Sequence, residues 1–99
     1  MTDLQLWLVI TRNTGADRAP LRDAHREYMA GLVAQGLIFA SGPTAATVDS
    51  ESNGGATALL VADAAEARRI MDEEPFVRAG ARTYELIAWN VRHGDYASC

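Results

Sequence analysis

The stretch LRDAHREYM, residues 21–29, puts an imidazole where a helix would bury it. At 100° per residue, Leu21, Ala24, Tyr28, Met29 and Leu32 form one apolar arc, and His25 falls near its middle, away from Asp23, Arg26 and Glu27. A second stretch, AAEARRIMDEE at 64–74, does the same with an acid. Ala64, Ala67, Ile70 and Met71 make its inner arc, and Glu74 falls between Ile70 and Ala67 while Asp72 and Glu73 point outward. An inward carboxylate that meets an inward imidazole holds one ring nitrogen as N–H and leaves the other to take or give a proton. Arg22, at the edge of the arc, can meet an anionic ligand bidentately. The competing reading is structural: a buried His–acid pair that only fixes the core, because an unpaired buried charge is costly.

Other chemistries find no support in the residues. There is no Ser-His-Asp order and no phosphate-cradling loop, since the glycines in NGG at 53–55 lack a strand-to-helix context. Two distant histidines and one cysteine, Cys99, argue against a metal site and exclude an internal disulfide. The expected cofactor set is therefore empty. Net charge is −4, and the nine cations, all Arg, are scattered among 13 acids, a poor match for nucleic acid. At 48% hydrophobic and 22% charged residues the composition is that of a folded domain, and 99 residues suit one core. No apolar run nears the roughly 20 residues that cross a bilayer. The start, MTDLQLWLVITRN, has no basic n-region, so a cytoplasmic location is expected.

The elements that must carry His25 and Glu74 follow from periodicity. LQLWLVIT (4–11) is apolar on both faces, with Leu4, Leu6, Leu8 and Ile10 opposite Gln5, Trp7, Val9 and Thr11, which reads as a strand covered on both sides. Pro20 suits the first turn of the His25 helix, and Gly36 its end. LIFASGP (37–43) reads as a second strand stopped by Gly-Pro, and the polar run ending in NGG as a flexible connection to a third, ATALLVA. Asp63 and Glu66 form a capping-box-like start to the second helix, Pro75 ends or kinks it, and Gly80 closes the turn FVRAG. TYELIAWNV is the fourth strand, and RHGDYASC (92–99) a polar tail expected to fray.

The order βαββαβ is the ferredoxin-like pattern: an α+β fold with two helices on one face of a four-stranded antiparallel sheet. The other face stays apolar and uncovered over roughly 300 Å² of planar area, as large as the largest patch of a typical soluble monomer. A homodimer packed sheet to sheet is therefore expected.

Arg22-x-x-His25, Ser41-Gly42-Pro43 and Glu74-Pro75-Phe76-Val77-Arg78-Ala79-Gly80, in that order and spacing, resemble the YciI-like (YCII-related) family. The resemblance runs from about residue 4 to residue 91, so the whole chain, 1–99, is read as one such domain. It implies a dimeric α+β barrel with a site built on the helix-one histidine and the acid before proline, here His25 and Glu74. The family typically has Asp where this chain has Glu74, one methylene longer. Relatives include dehalogenation-type and lactone-isomerase-type enzymes, so the family leaves the reaction open.

Two readings follow. One is a cofactor-independent enzyme that isomerises, or eliminates from, a small anionic cyclic or aromatic substrate. His25 would act as acid or base and Glu74 would orient it, with Arg22, Ser41, Tyr28 and Phe76 as substrate contacts. Ser41 is equally suited to capping its strand, and Tyr28 to packing in the core with its hydroxyl at a rim. The other reading is a non-catalytic dimeric ligand-binding or accessory module. The two differ in whether replacing His25 abolishes turnover or only lowers the melting temperature.

Overall fold

The computed structural model describes residues 4–94. The expected tail therefore lies largely outside the described residues, Cys99 included. Strands β1 (Gln5–Asn13), β2 (Ile38–Ala45), β3 (Ser52–Val61) and β4 (Arg82–Trp89) form one sheet in the order β2-β3-β1-β4, and every neighbouring pair is antiparallel. Helix α1 (Arg22–Ala34) joins β1 to β2, while α2 (Ala64–Glu73) and the single turn α3 (Pro75–Arg78) join β3 to β4. This is the α+β ferredoxin-like architecture.

Register assigns the faces. Trp7, Val9 and Thr11 of β1 stand opposite Leu59, Thr57 and Gly55 of β3, and opposite Ala88, Leu86 and Tyr84 of β4. Val9, Leu59 and Val61 on that face pack with Leu32 of α1 and with Ala67, Ile70 and Met71 of α2 into one core. Asp63 begins α2 as its side chain accepts the Glu66 amide at 2.9 Å, satisfying a donor that the helix start leaves free. Gly36, at φ 75°, lies just past the end of α1, in a backbone region that a side chain would strain. Ala24 is exposed, so the buried arc of α1 runs through Tyr28, Met29 and Leu32.

Two expectations about the strands are corrected. Gly42-Pro43 does not stop β2, which continues to Ala45. β2 is an edge strand, where proline's missing N–H leaves no ladder bond unmade. Nor is NGG a flexible connection, since Asn53, Gly54 and Gly55 all lie in β3. A Cβ on Gly54 would fall 1.9 Å from the Thr11 carbonyl oxygen, and one on Gly55 3.0 Å from that of Gly42. These glycines let three strands approach closely.

The opposite face carries Leu6, Leu8 and Ile10 of β1, Ala56, Ala58 and Leu60 of β3, and Ile87 and Trp89 of β4. No helix covers it, and Ile87 and Trp89 remain 39% and 44% exposed. Among the described residues, no helix is long and apolar enough to cross a membrane.

Candidate active site

Proline places the acid. The residue before a proline avoids the helical region, and Glu74 is extended at φ −64° and ψ 130°, so α2 stops at Glu73. Glu74 then caps α3, where one carboxylate oxygen, Oε2, accepts the Val77 amide at 3.2 Å. The other, Oε1, accepts a hydrogen bond from Nδ1 of His25 on α1. Glu74 is only 2% exposed, whereas the His25 side chain is 24% exposed. Burial pushes the Glu74 carboxyl up. The hydrogen bond from His25, the amides of Phe76 and Val77 and the charge of the imidazole together outweigh it, holding the group below its ordinary value. With the carboxylate accepting, the ring proton sits on Nδ1. In the neutral ring Nε2, which has no hydrogen-bond partner among the described residues, is then left as the proton acceptor.

The turn after Glu74 builds the next wall. Ala81 N–H donates to Phe76 O at 2.8 Å and Gly80 N–H to Val77 O at 3.0 Å, with Gly80 at φ 77°, the paired bonds of a glycine-terminated helix end. The reversal sets Phe76 flat against His25, ring centroids 4.2 Å apart and planes 16° from parallel. It also starts β4 with Arg82, whose guanidinium carbon lies 4.8 Å from the Phe76 ring centroid. Arg82 Nε donates to Asn13 Oδ1 at 2.9 Å.

These groups border a cavity of about 150 Å³ between the helices and the sheet. Its walls include His25, Glu74, Met29, Met71 and Arg82, and its sheet side is Thr11, Ser41, Gly55 and Thr57. That volume is about the size of an apolar cavity that accepts one benzene ring. The Ser41 and Thr57 hydroxyls are hydrogen-bonded at 2.8 Å. One bond uses one of their two protons, so the pair retains an O–H that can serve a ligand.

The residues singled out from the sequence divide by position. His25, Glu74 and Ser41 share the cavity wall, and Phe76 supports His25 from behind. Arg22 is exposed and does not line the cavity. The Tyr28 hydroxyl donates to the Ile70 carbonyl at 2.6 Å, tying α1 to α2 outside the cavity wall. Burial, with Glu73 adding to it, raises its phenol above the ordinary value. The sequence pattern does not by itself single out Thr11, Thr57 or Arg82 as cavity residues. The signal was alternation: Arg82, Tyr84 and Leu86 share the helix-facing side of β4, and extending that strand one residue back brings Arg82 onto it. Among the described residues, no group of three or more His, Cys, Asp or Glu side chains is placed to hold a metal ion.

The family profile of the YCII-related domain matches residues 5–90. No curated protein gives a significant match. Among solved structures, the chain is similar to 5-chloro-2-hydroxyhydroquinone dehydrochlorinase from Burkholderia phenoliruptrix AC1100, determined in complex with 2,5-dihydroxybenzoquinone. The likeness covers 94% of this chain and 99% of that one at a TM-score of 0.72 and 21% identity. At that identity the likeness speaks to the fold.

Proposed function

This chain belongs to the YCII-related domain family, and from that premise we propose that it is a cofactor-independent enzyme performing acid–base chemistry on a small, single-ring, anionic substrate. The observation that carries the proposal is the His25–Glu74 hydrogen bond at the wall of a cavity of about 150 Å³. Nε2 of His25 removes a proton from the substrate. The electron pair of the broken bond forms a new π bond, and a leaving group departs with its own bonding pair. In the isomerising variant the imidazolium instead returns the proton to another position. Glu74 keeps the ring in one tautomer and stabilises the imidazolium while it exists. Ser41 offers its hydroxyl to a substrate oxygen. Elimination is the form supported by the fold neighbour, whose name describes dehydrochlorination of a hydroxylated ring.

The working unit in this reading is a homodimer joined through the open sheet face. There Phe39, Ile87 and Trp89 are 50%, 39% and 44% exposed, an apolar set that water disfavours.

The deciding experiment offers wild type and His25→Gln a panel of chlorinated, hydroxylated rings, both hydroquinones such as 5-chloro-2-hydroxyhydroquinone and their anionic carboxylated counterparts, and follows chloride release and ring absorbance. Loss of the general base should lower kcat by about 10² or more, with the fold retained by circular dichroism. Equal turnover by the folded variant would remove His25 from the chemistry.

A second reading draws on a different contact. Because Glu74 also caps α3 through Val77, the pair has a structural task that a non-catalytic ligand-binding module would equally need. That reading gains if ring compounds raise the melting temperature while none is turned over.

A further inference from the structure

Arg82 is a cation in an unusual position. It is half-buried at the cavity wall, and among the described residues it forms no ion pair with a carboxylate. The acid whose charge reaches it is Glu74, but both oxygens of Glu74 are already committed, to His25 and to the Val77 amide. Asn13, the partner that Arg82 does have, is neutral and engages Nε alone. The two terminal nitrogens have no partner among the described residues. A second cation makes the balance worse: Arg18 also approaches the Phe76 ring, its guanidinium carbon 5.8 Å from the centroid. Burial and the Arg18 charge both push the Arg82 guanidinium down from its ordinary value. A desolvated charge normally has a directly paired counter-charge, and among the described residues no carboxylate pairs directly with this one.

The orientation is fixed rather than free. The Asn13 bond at one end and the Phe76 ring beneath hold the guanidinium plane, so little side-chain freedom remains to be lost when a ligand arrives. Two adjacent N–H-bearing nitrogens in a fixed plane match the two oxygens of a carboxylate.

We propose that Arg82 is the anion-binding residue of this cavity and that the ligand is a single six-membered ring bearing a carboxylate. The carboxylate lies against the free edge of Arg82, the ring occupies the space between His25 and the Ser41–Thr57 hydroxyls, and Arg18 adds charge from outside. The inference rests on the cavity being the ligand site, as in the proposed function. It adds which residue selects the ligand and what the ligand must carry.

Calorimetric titration with benzoate and with benzamide, its neutral counterpart, tests this on wild type, Arg82→Gln, Arg82→Lys and His25→Gln. Wild type should bind benzoate about tenfold or more tightly than benzamide. Arg82→Gln should lose that preference while keeping its affinity for benzamide, and Arg82→Lys, charged but unable to bind two oxygens side by side, should fall between them. His25→Gln should keep the preference, which separates anion selection from proton transfer. If folded Arg82→Gln retains the preference for benzoate, or if wild type never shows one while both rings bind, the role of Arg82 is overturned and the cavity reading survives. If Arg82→Gln fails to fold, Arg82→Lys decides, and an unchanged preference there overturns the bidentate contact. If neither ring binds wild type, the cavity is not the ligand site and the assignment of Arg82 falls with it.

Discussion

Glu74 joins two structures that are far apart in sequence: Oε2 accepts the Val77 amide that begins α3, and Oε1 accepts Nδ1 of His25 from α1. One buried carboxylate therefore ends a helix and orients an imidazole, and variants at 74 should separate the two tasks. In Glu74→Gln the side-chain carbonyl can still cap α3 but no longer carries charge for His25. A hydrogen bond to a charged group contributes about 1.5–3 kcal/mol, and chemical denaturation should show a loss in that range. Glu74→Ala also removes the cap, adding about 1 kcal/mol. Equal losses in the two variants would mean that the cap contributes nothing.

Acid should act through the same group. The folded-state value of Glu74 lies below its ordinary value of 4.5. Its contribution to stability is then fully present above that ordinary value and is lost as pH falls through the lower folded-state value. Wild type should melt at progressively lower temperature below about pH 4.5, and Glu74→Gln should melt with a shallower dependence over the same interval. Parallel curves for the two proteins across that window would contradict the assignment.

Tyr28 gives a control on the same helix as His25. Its hydroxyl donates to Ile70 O at 2.6 Å and does not reach the cavity. Tyr28→Phe should cost about 1 kcal/mol and leave benzoate affinity unchanged in titration. A fall in affinity without a fall in stability would bring the phenol into the site.

Much of this arrangement is written in local pattern. The α2 arc of Ala67, Ile70 and Met71 is buried, with Asp72 and Glu73 outside, because one helical period fixes all of those directions together. The Asp63 cap is equally local. What the sequence hides is tertiary. Pro43 looks like a strand terminator until β2 is known to be an edge, and NGG looks like a loop until Thr11 is seen pressing on Gly54. Arg22 and Arg82 show the same limit. One guanidinium sits beside His25 in sequence but faces outward, whereas the other arrives at the cavity only because the Gly80 turn folds β4 back onto β1.

The close approach at Gly54 makes a sharp prediction. A methyl group there would sit 1.9 Å from the Thr11 carbonyl oxygen, with Thr11 C at 2.7 Å and the Arg12 Cα at 2.9 Å. All three are backbone atoms of β1, so no side-chain rotation can relieve the overlap, and β1 and β3 must separate. Gly54→Ala should cost about 3 kcal/mol or more. Gly55→Ala meets Gly42 O at 3.0 Å and Thr11 Oγ1 at 3.3 Å, a milder crowding that should cost less but narrow the cavity, which Gly55 lines. Measured by denaturation and benzoate titration, the first variant should lose stability and the second affinity. The reverse pattern would place the tight contact elsewhere.

The uncovered face leads to the last prediction. Leu8, Phe39, Ala40, Ala56, Ala58 and Trp89 line a shallow apolar hollow on it, and a stable partner surface needs roughly 800 Å² from each copy. A second copy of this chain presents the same apolar set, so a two-fold pairing satisfies both faces at once. Trp89, at the β4 edge and 44% exposed, would anchor such a contact, because a large exposed aromatic contributes much of an interface's energy. Trp89→Asp would bring a charge into that contact, whose desolvation no partner offsets. Light scattering on a sizing column should report a dimer for wild type and a monomer for the variant, with near-native circular dichroism, because Trp89 packs on the side of the sheet away from the helix core. A wild-type protein that stays monomeric at tens of micromolar would leave this face without the partner assigned to it.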